Sequence, residues 1–184
     1  NYHDIDGDEK KGVVEILREA YNNPKKRKFY NLMLRKADLN ILEYKPLVED
    51  RYIPKSFRER IEKENIPQDV KDELLKPIQE SISFTNYSKN GDFEVSINLQ
   101  SKGTIKYILI LEVLFDMITG SHVYYLDELG EDLHKDLLFY YLNVFLFNSE
   151  KSQLIITSQE TTLLSQDLIN DNRGVVWFVE KNKE

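Results

Sequence analysis

Two acidic residues at the end of an apolar strand are the part of this sequence best suited to chemistry. The segment Val123–Glu128 reads VYYLDE, so Asp127 and Glu128 directly follow a run of β-favouring residues. At the carboxyl end of a buried strand, where α/β sheets bind ligands, such an Asp can hold Mg²⁺ and the adjacent Glu can polarise an attacking water. The alternative is an ordinary strand end at a solvated turn, which is a common pattern.

Further polar groups flank this pair in sequence. Ser101 and Gly103 stand just before a long apolar helix, where free N–H groups and the helix dipole suit a phosphate. The simpler interpretation of Ser101 is a helix N-cap. Downstream, the run LIITSQ ends an apolar strand with polar side chains, Gln159 last, that can reach the same face as Asp127.

The hydrophobic pattern predicts the elements that must position these groups. The first part is largely helical, with one strand and then a hairpin around Lys89–Gly91. From residue 104 onward, helices and short apolar strands alternate, which favours parallel strands with crossover helices and an α/β layer. The predicted helices are 9–21, 25–37, 55–64, 68–80, 104–119, 133–147 and 160–169, and the predicted strands are 37–45, 81–87, 93–99, 122–127, 153–158 and 174–180.

Composition divides the chain into two parts. The 184 residues carry a net charge of −7 and no Cys, which excludes a disulfide scaffold and a cysteine nucleophile. Residues 1–80 hold 17 basic and 17 acidic side chains, whereas 81–184 hold 8 and 15. We therefore expect a charged helical arm over 1–80 and a compact lobe over 81–184. The sequence has no signal peptide and no membrane-spanning run, so a cytoplasmic location without membrane partners is expected.

Four ordered motifs resemble the second half of an ABC-type ATPase head. They are the runs SKGT, YYLDELGEDLH, LIITSQETTLL and RGVVWFVEKNKE, all within 81–184. The likeness is to bacterial AAA-family ATPases of the abortive-infection and antiphage type, relatives of structural-maintenance-of-chromosomes heads. It implies a partial P-loop NTPase fold that binds ATP and Mg²⁺ and forms a homodimer through the nucleotide interface. It also implies a role in phage defence, with a nuclease or other effector as a further partner.

The resemblance also implies a role for each matching residue. The signature loop would contact the γ-phosphate of a nucleotide bound by the partner head, and the loop after the second motif would pack across the dimer interface. The implied assignments are Ser101 and Gly103 in the signature loop, Asp127 as the Walker B aspartate, Glu128 as the catalytic base, Gly130–His134 as the interface loop and Gln159 at the switch position.

The sequence departs from that family pattern in two places. Gln159 stands where the family usually has His, and an amide cannot take up a proton as imidazole can. No G-x-x-x-x-G-K-[ST] motif occurs in the sequence, so the β- and γ-phosphates lack a cradle here. We therefore expect this chain to need a Walker A half as a partner and to be inactive alone. The alternative is an interaction module that binds a partner protein without hydrolysing nucleotide.

Overall fold

The chain folds into two compact units. The computed structural model describes residues 5–37, 39–130, 133–164 and 175–179, with the side chains of 5–8 and of 162 excepted. The first unit comprises Asn1–Gln100 and the second comprises Ser101–Glu184. The division expected at 80/81 falls inside a strand that belongs to the sheet of the first unit.

The first unit packs helices against an antiparallel three-stranded sheet. Its strands lie in the order β1-β2-β3, and Tyr44 pairs with Phe84 across the first two. Both of these side chains are buried, together with Leu17 of the first helix and Tyr30 of the second. The elements are α1 (Ile5–Asn22), α2 (Pro24–Lys36), β1 (Ile41–Asp50), α3 (Lys55–Lys63), α4 (Gln68–Leu74), β2 (Ile78–Asn86) and β3 (Phe93–Ser96), followed by a 3-10 turn at Ile97–Leu99.

Local chemistry explains where the elements of the first unit begin and end. The side chain of Asn23 accepts the backbone N–H groups of Lys25 and Lys26, and Pro24 occupies the first helical turn, so α2 has a sharp start. The predicted helix over 68–80 is wrong beyond Leu74, because Pro77 disfavours helix at the residue before it and lacks the N–H a helix needs. The chain continues there as β2.

The second unit contains the alternating elements. It consists of α5 (Lys102–Thr119), β4 (Val123–Leu126), α6 (Lys135–Asn148), β5 (Gln153–Ile156) and a 3-10 turn at Thr161–Leu164. The two strands are parallel, with Leu126 opposite Ile156. Buried side chains of the two helices form the core, namely Ile105, Tyr107, Ile108, Leu111, Leu114, Met117, Leu137, Leu138 and Tyr141.

The two-strand sheet of the second unit has one apolar face in solvent. Successive side chains of a strand point to opposite faces, and Val123, Tyr125 and Ile155 lie on the exposed one. Parallel sheets are ordinarily covered on both faces. The phenol of Tyr124, on the other face, donates to Asp116 Oδ2 at 3.0 Å and so ties β4 to α5. This hydrogen bond, with some burial, raises the pKa of Tyr124.

The structure confirms a mixed α/β class and corrects several predicted elements. Parallel pairing with a helical crossover is present in β4-α6-β5, and the first unit has the three expected strands with shifted bounds. The predicted strand 174–180 is wrong for Val175–Val179, which lies outside any strand and is exposed, while 174 and 180 lie outside the described residues. The predicted helix 160–169 is a 3-10 turn up to Leu164, and 165–169 lie outside the described residues. None of the helices in the described ranges is long and apolar enough to cross a membrane.

Buried tyrosines make stability sensitive to alkali. Burial raises the pKa of Tyr44, Tyr107 and Tyr141 above the ordinary value. The unfolded chain loses these protons near pH 10, whereas the folded chain keeps them to a higher pH. The free energy of unfolding is therefore fully retained below about pH 10 and falls above it. We expect the free energy of unfolding to fall by up to about 1.4 kcal/mol per pH unit for each such tyrosine.

Urea unfolding at about pH 9 and pH 11 measures this loss. The variant Tyr141→Phe should reduce the slope, because it removes one buried titrating group. Tyr52→Phe should leave the slope unchanged, because Tyr52 is 87% exposed. A free energy of unfolding that is the same at both pH values would contradict the prediction.

Candidate functional site

The predicted acidic pair lies at the carboxyl ends of two parallel strands. Asp127 and Glu128 follow β4, and Thr157–Glu160 follow β5. Because Leu126 is opposite Ile156 in the register, both polar segments leave the same edge of the sheet. Between them lies an open cleft of about 290 Å³, lined by Glu128, Leu129, Gly130, Ser158, Gln159 and Glu160.

Thr157 joins the two segments by four hydrogen bonds. Its backbone N–H donates to Leu126 O at 3.1 Å, and its carbonyl accepts the N–H of Leu129 at 2.9 Å. Its hydroxyl donates to Asp127 Oδ1 and accepts the backbone N–H of Glu128 at 2.9 Å. One residue after β5 therefore contacts each of the four consecutive residues at the end of β4.

The turn after β4 adopts unusual backbone angles. Glu128 has φ +50°, which is uncommon for a residue with a side chain, and Gly130 has φ +116°. A Cβ on Gly130 would lie 2.9 Å from Leu138 Cδ2 and 3.5 Å from Ser158 Oγ. The positive φ, together with the overlap of a Cβ with Leu138, therefore favours glycine at this position.

The carboxylate of Asp127 is exposed and only partly engaged. The phenol of Tyr125 donates to Oδ1 at 3.4 Å, the same oxygen that accepts from Thr157. Among the described residues, the hydrogen bonds to Asp127 thus reach Oδ1, and none reaches Oδ2. A carboxylate oxygen without a hydrogen bond, on an exposed residue, fits Mg²⁺, which keeps several waters and binds through one or two carboxylates plus substrate phosphates. The described part of the chain holds no cluster of three acidic or His residues that would cage a metal by itself.

The structure brings some of the predicted site residues together and leaves others apart. Glu128 and Gln159 line one cleft. Asp127 does not line it, and its carboxylate is hydrogen-bonded to Thr157, the residue before the cleft-lining Ser158. Ser101 and Gly103 do not line it: Ser101 caps α5, where its Oγ accepts the N–H of Thr104 at 3.1 Å.

The loop Gly130–His134 is described only in part, because residues 131 and 132 lie outside the described ranges. Gly130 lines the cleft. His134 is the N-cap of α6, and its Nδ1 accepts the N–H of Asp136 at 3.4 Å. The described end of this loop is therefore fixed by a helix cap.

Sequence reasoning missed the central position of Thr157. The sequence does show that Thr157 and Asp127 are each the first residue after a predicted apolar run. Their pairing depends on the register of the two parallel strands, which the amino-acid pattern does not give. Tyr125 was missed because it lies within the strand, where an aromatic side chain indicates only β propensity.

Similarity to known proteins adds no further residues to the site. A scan against protein-family models finds no match to the chain, and a search of the curated proteins finds no significant similarity. Two chemically capable groups line the cleft, the carboxylate of Glu128 and the amide of Gln159. The carboxylate of Asp127 and the hydroxyl of Thr157, hydrogen-bonded to each other, lie at the same edge of the sheet.

Proposed function

We propose that this chain supplies the Mg²⁺-binding and water-activating carboxylates of an ATP-hydrolysing site of the ABC type. One observation carries the proposal: Asp127 and Glu128 follow the carboxyl end of β4, and Glu128 lines one cleft with Gln159, which follows the parallel neighbour β5. This is the edge at which α/β sheets bind ligands. The order of the motifs in the sequence supports the same function.

The carboxylates take different roles in the proposed reaction. Asp127 offers Oδ2 to Mg²⁺, and bound Mg²⁺ would neutralise charge on the phosphates. Glu128 accepts a proton from a water whose oxygen attacks the γ-phosphorus, and the bond from that phosphorus to the β,γ-bridging oxygen breaks. ADP and phosphate are the products. Gln159 donates its amide N–H to the γ-phosphate or orients the water, without taking up a proton itself.

The phosphate cradle of the proposed site comes from outside these 184 residues. The sequence contains no Walker A motif, so the proposed site is complete only when a Walker A half binds. In the proposed homodimer, Ser101 and Gly103 present the N-terminus of α5 to the nucleotide of the partner head. Coupling to a nuclease or other effector in phage defence follows from the sequence resemblance.

A binding module without hydrolysis is the second candidate function. The exposed apolar face of the two-strand sheet favours it, since Val123 and Tyr125 are 68% and 60% exposed. Such a face suits a protein partner. This alternative predicts that the protein with Asp127→Ala still binds its partners and performs its cellular task.

Removal of the charge on Asp127 tests the proposed function. In the protein expressed from its complete reading frame, we expect Asp127→Asn to lower Mg²⁺-dependent ATP hydrolysis by about 10²-fold or more, because a neutral amide holds Mg²⁺ poorly. Phosphate release at saturating Mg²⁺ is the measurement. Asp92→Asn removes an exposed charge from the turn before β3 and should leave the rate unchanged. A wild-type protein without hydrolysis, or a variant with the wild-type rate, would contradict the proposal.

A further inference from the structure

We propose that the hydroxyl of Thr157 is a positioning group that sets the geometry of both carboxylates for the reaction. This inference rests on the proposed function and names a residue that the motif pattern leaves without a role. Thr157 would not touch ATP or the attacking water. It acts through Asp127 and Glu128, to which its side chain is hydrogen-bonded.

The backbone of Glu128 is hydrogen-bonded to the hydroxyl of Thr157. A residue with a side chain at φ +50° is held there only when its surroundings fix it. The N–H of Glu128 donates to Thr157 Oγ1 at 2.9 Å, and this bond fixes the residue that carries the proposed base. Without the hydroxyl, the N–H of Glu128 can turn to water, and the backbone that carries the Glu128 side chain is then no longer fixed.

The hydroxyl of Thr157 is hydrogen-bonded to one of the two carboxylate oxygens of Asp127. Thr157 and Tyr125 both donate to Oδ1, and the contact from Tyr125 is long, at 3.4 Å. The threonine hydroxyl is therefore the main group that keeps Oδ1 engaged and leaves Oδ2 as the oxygen without a hydrogen bond among the described residues. A carboxylate freed from this bond can rotate and offer a metal either oxygen.

The side chain of Thr157 can be changed without loss of its backbone hydrogen bonds. The backbone N–H and carbonyl of Thr157 keep their own bonds to Leu126 and Leu129 whatever the side chain is. Replacing Thr by Val retains the branched shape at this exposed position and removes only the hydroxyl. The strand pair should therefore persist while the two side-chain bonds are lost.

Steady-state kinetics of the full-length protein test the inference. For Thr157→Val we expect kcat to fall about 10- to 100-fold with the KM for ATP within about threefold of wild type, because misplacement of catalytic groups by about 1 Å has effects of this size. Thr157→Ser keeps the hydroxyl and should restore kcat to within about threefold. Thr119→Val removes an equally exposed hydroxyl from the end of α5 and should leave both constants unchanged.

Hydrogen exchange of the peptide that covers 126–130 gives a readout independent of turnover. In Thr157→Val the amide of Glu128 should exchange faster, while the amide of Leu129, bonded to the Thr157 carbonyl, should not. Active wild-type protein with an unchanged kcat in Thr157→Val, or unchanged exchange at Glu128, would overturn the inference alone. Absence of Mg²⁺-dependent hydrolysis in wild-type protein would overturn the proposed function, and the inference with it.

Discussion

Replacement of Glu128 by Gln is expected to stop ATP turnover in the full-length protein while nucleotide binding persists. The two side chains have nearly the same size and shape, so the turn after β4 and its bond to Thr157 should be unaffected. A neutral amide cannot accept the proton of the attacking water. Since a positioned general base contributes about 10²–10⁴-fold to a rate, kcat should fall by at least about 10²-fold.

Two measurements on the Glu128→Gln protein separate catalysis from binding. Phosphate release should be lost, while equilibrium binding of ATP with Mg²⁺ should stay within about threefold of wild type, as expected when only transition-state stabilisation is removed. If the protein dimerises on ATP, the dimer should accumulate because its nucleotide is not consumed. Glu150→Gln changes an exposed carboxylate before the amino end of β5 and should keep the wild-type rate. Undiminished hydrolysis in Glu128→Gln would remove Glu128 as the base.

Replacement of Gly130 by Ala should destabilise the second unit strongly. At φ +116° a residue with a side chain is strained, and the new Cβ would lie 2.9 Å from Cδ2 of the buried Leu138. Backbone strain and overpacking each cost about 1–3 kcal/mol, so we expect the free energy of unfolding to fall by about 2–6 kcal/mol. Urea unfolding followed by far-ultraviolet circular dichroism is the measurement.

Gly91→Ala is the matched control for the Gly130 substitution. Gly91 has φ +117°, almost the same backbone angle, but nothing lies within 4 Å of a Cβ built on it. Its replacement by Ala therefore carries the strain without the overlap and should cost about 1–2 kcal/mol in the first unit. A loss at Gly130 no larger than the loss at Gly91 would show that the loop relaxes away from α6.

The amino-acid pattern predicts most of the local structure because each element follows from short-range chemistry. Apolar periodicity and the cap at Ser101 predict α5, and the β-rich runs on either side of Gly91 predict the β2–β3 hairpin. The failures come from competition and context. Pro77 ends a helical pattern early, and Val175–Val179 has strand composition but no strand partner among the described residues.

The site is predictable to the extent that it depends on strand ends. The rule that parallel strands place their carboxyl ends at one edge is enough to bring Glu128 and Gln159 to one cleft and to put Asp127 at the same edge. The register of β4 against β5 is a tertiary property, and it alone places Thr157 beside Asp127. The resemblance does not imply a direct contact between Ser101 and these residues, since it places the signature loop against the nucleotide of a partner head.

The exposed run Val175–Val179 has a consequence for the colloidal behaviour of the protein. Five consecutive residues with strong β propensity, no charge and no proline form a short segment that can nucleate intermolecular strand pairing. Trp177 is 85% and Val179 95% exposed, so the segment is available to other molecules in the native state. In the sequence, Glu180 and Lys181 follow it directly and act as gatekeepers, because stacking of identical chains would bring like charges together. These two charges thus favour solubility at high concentration, and salt screens them.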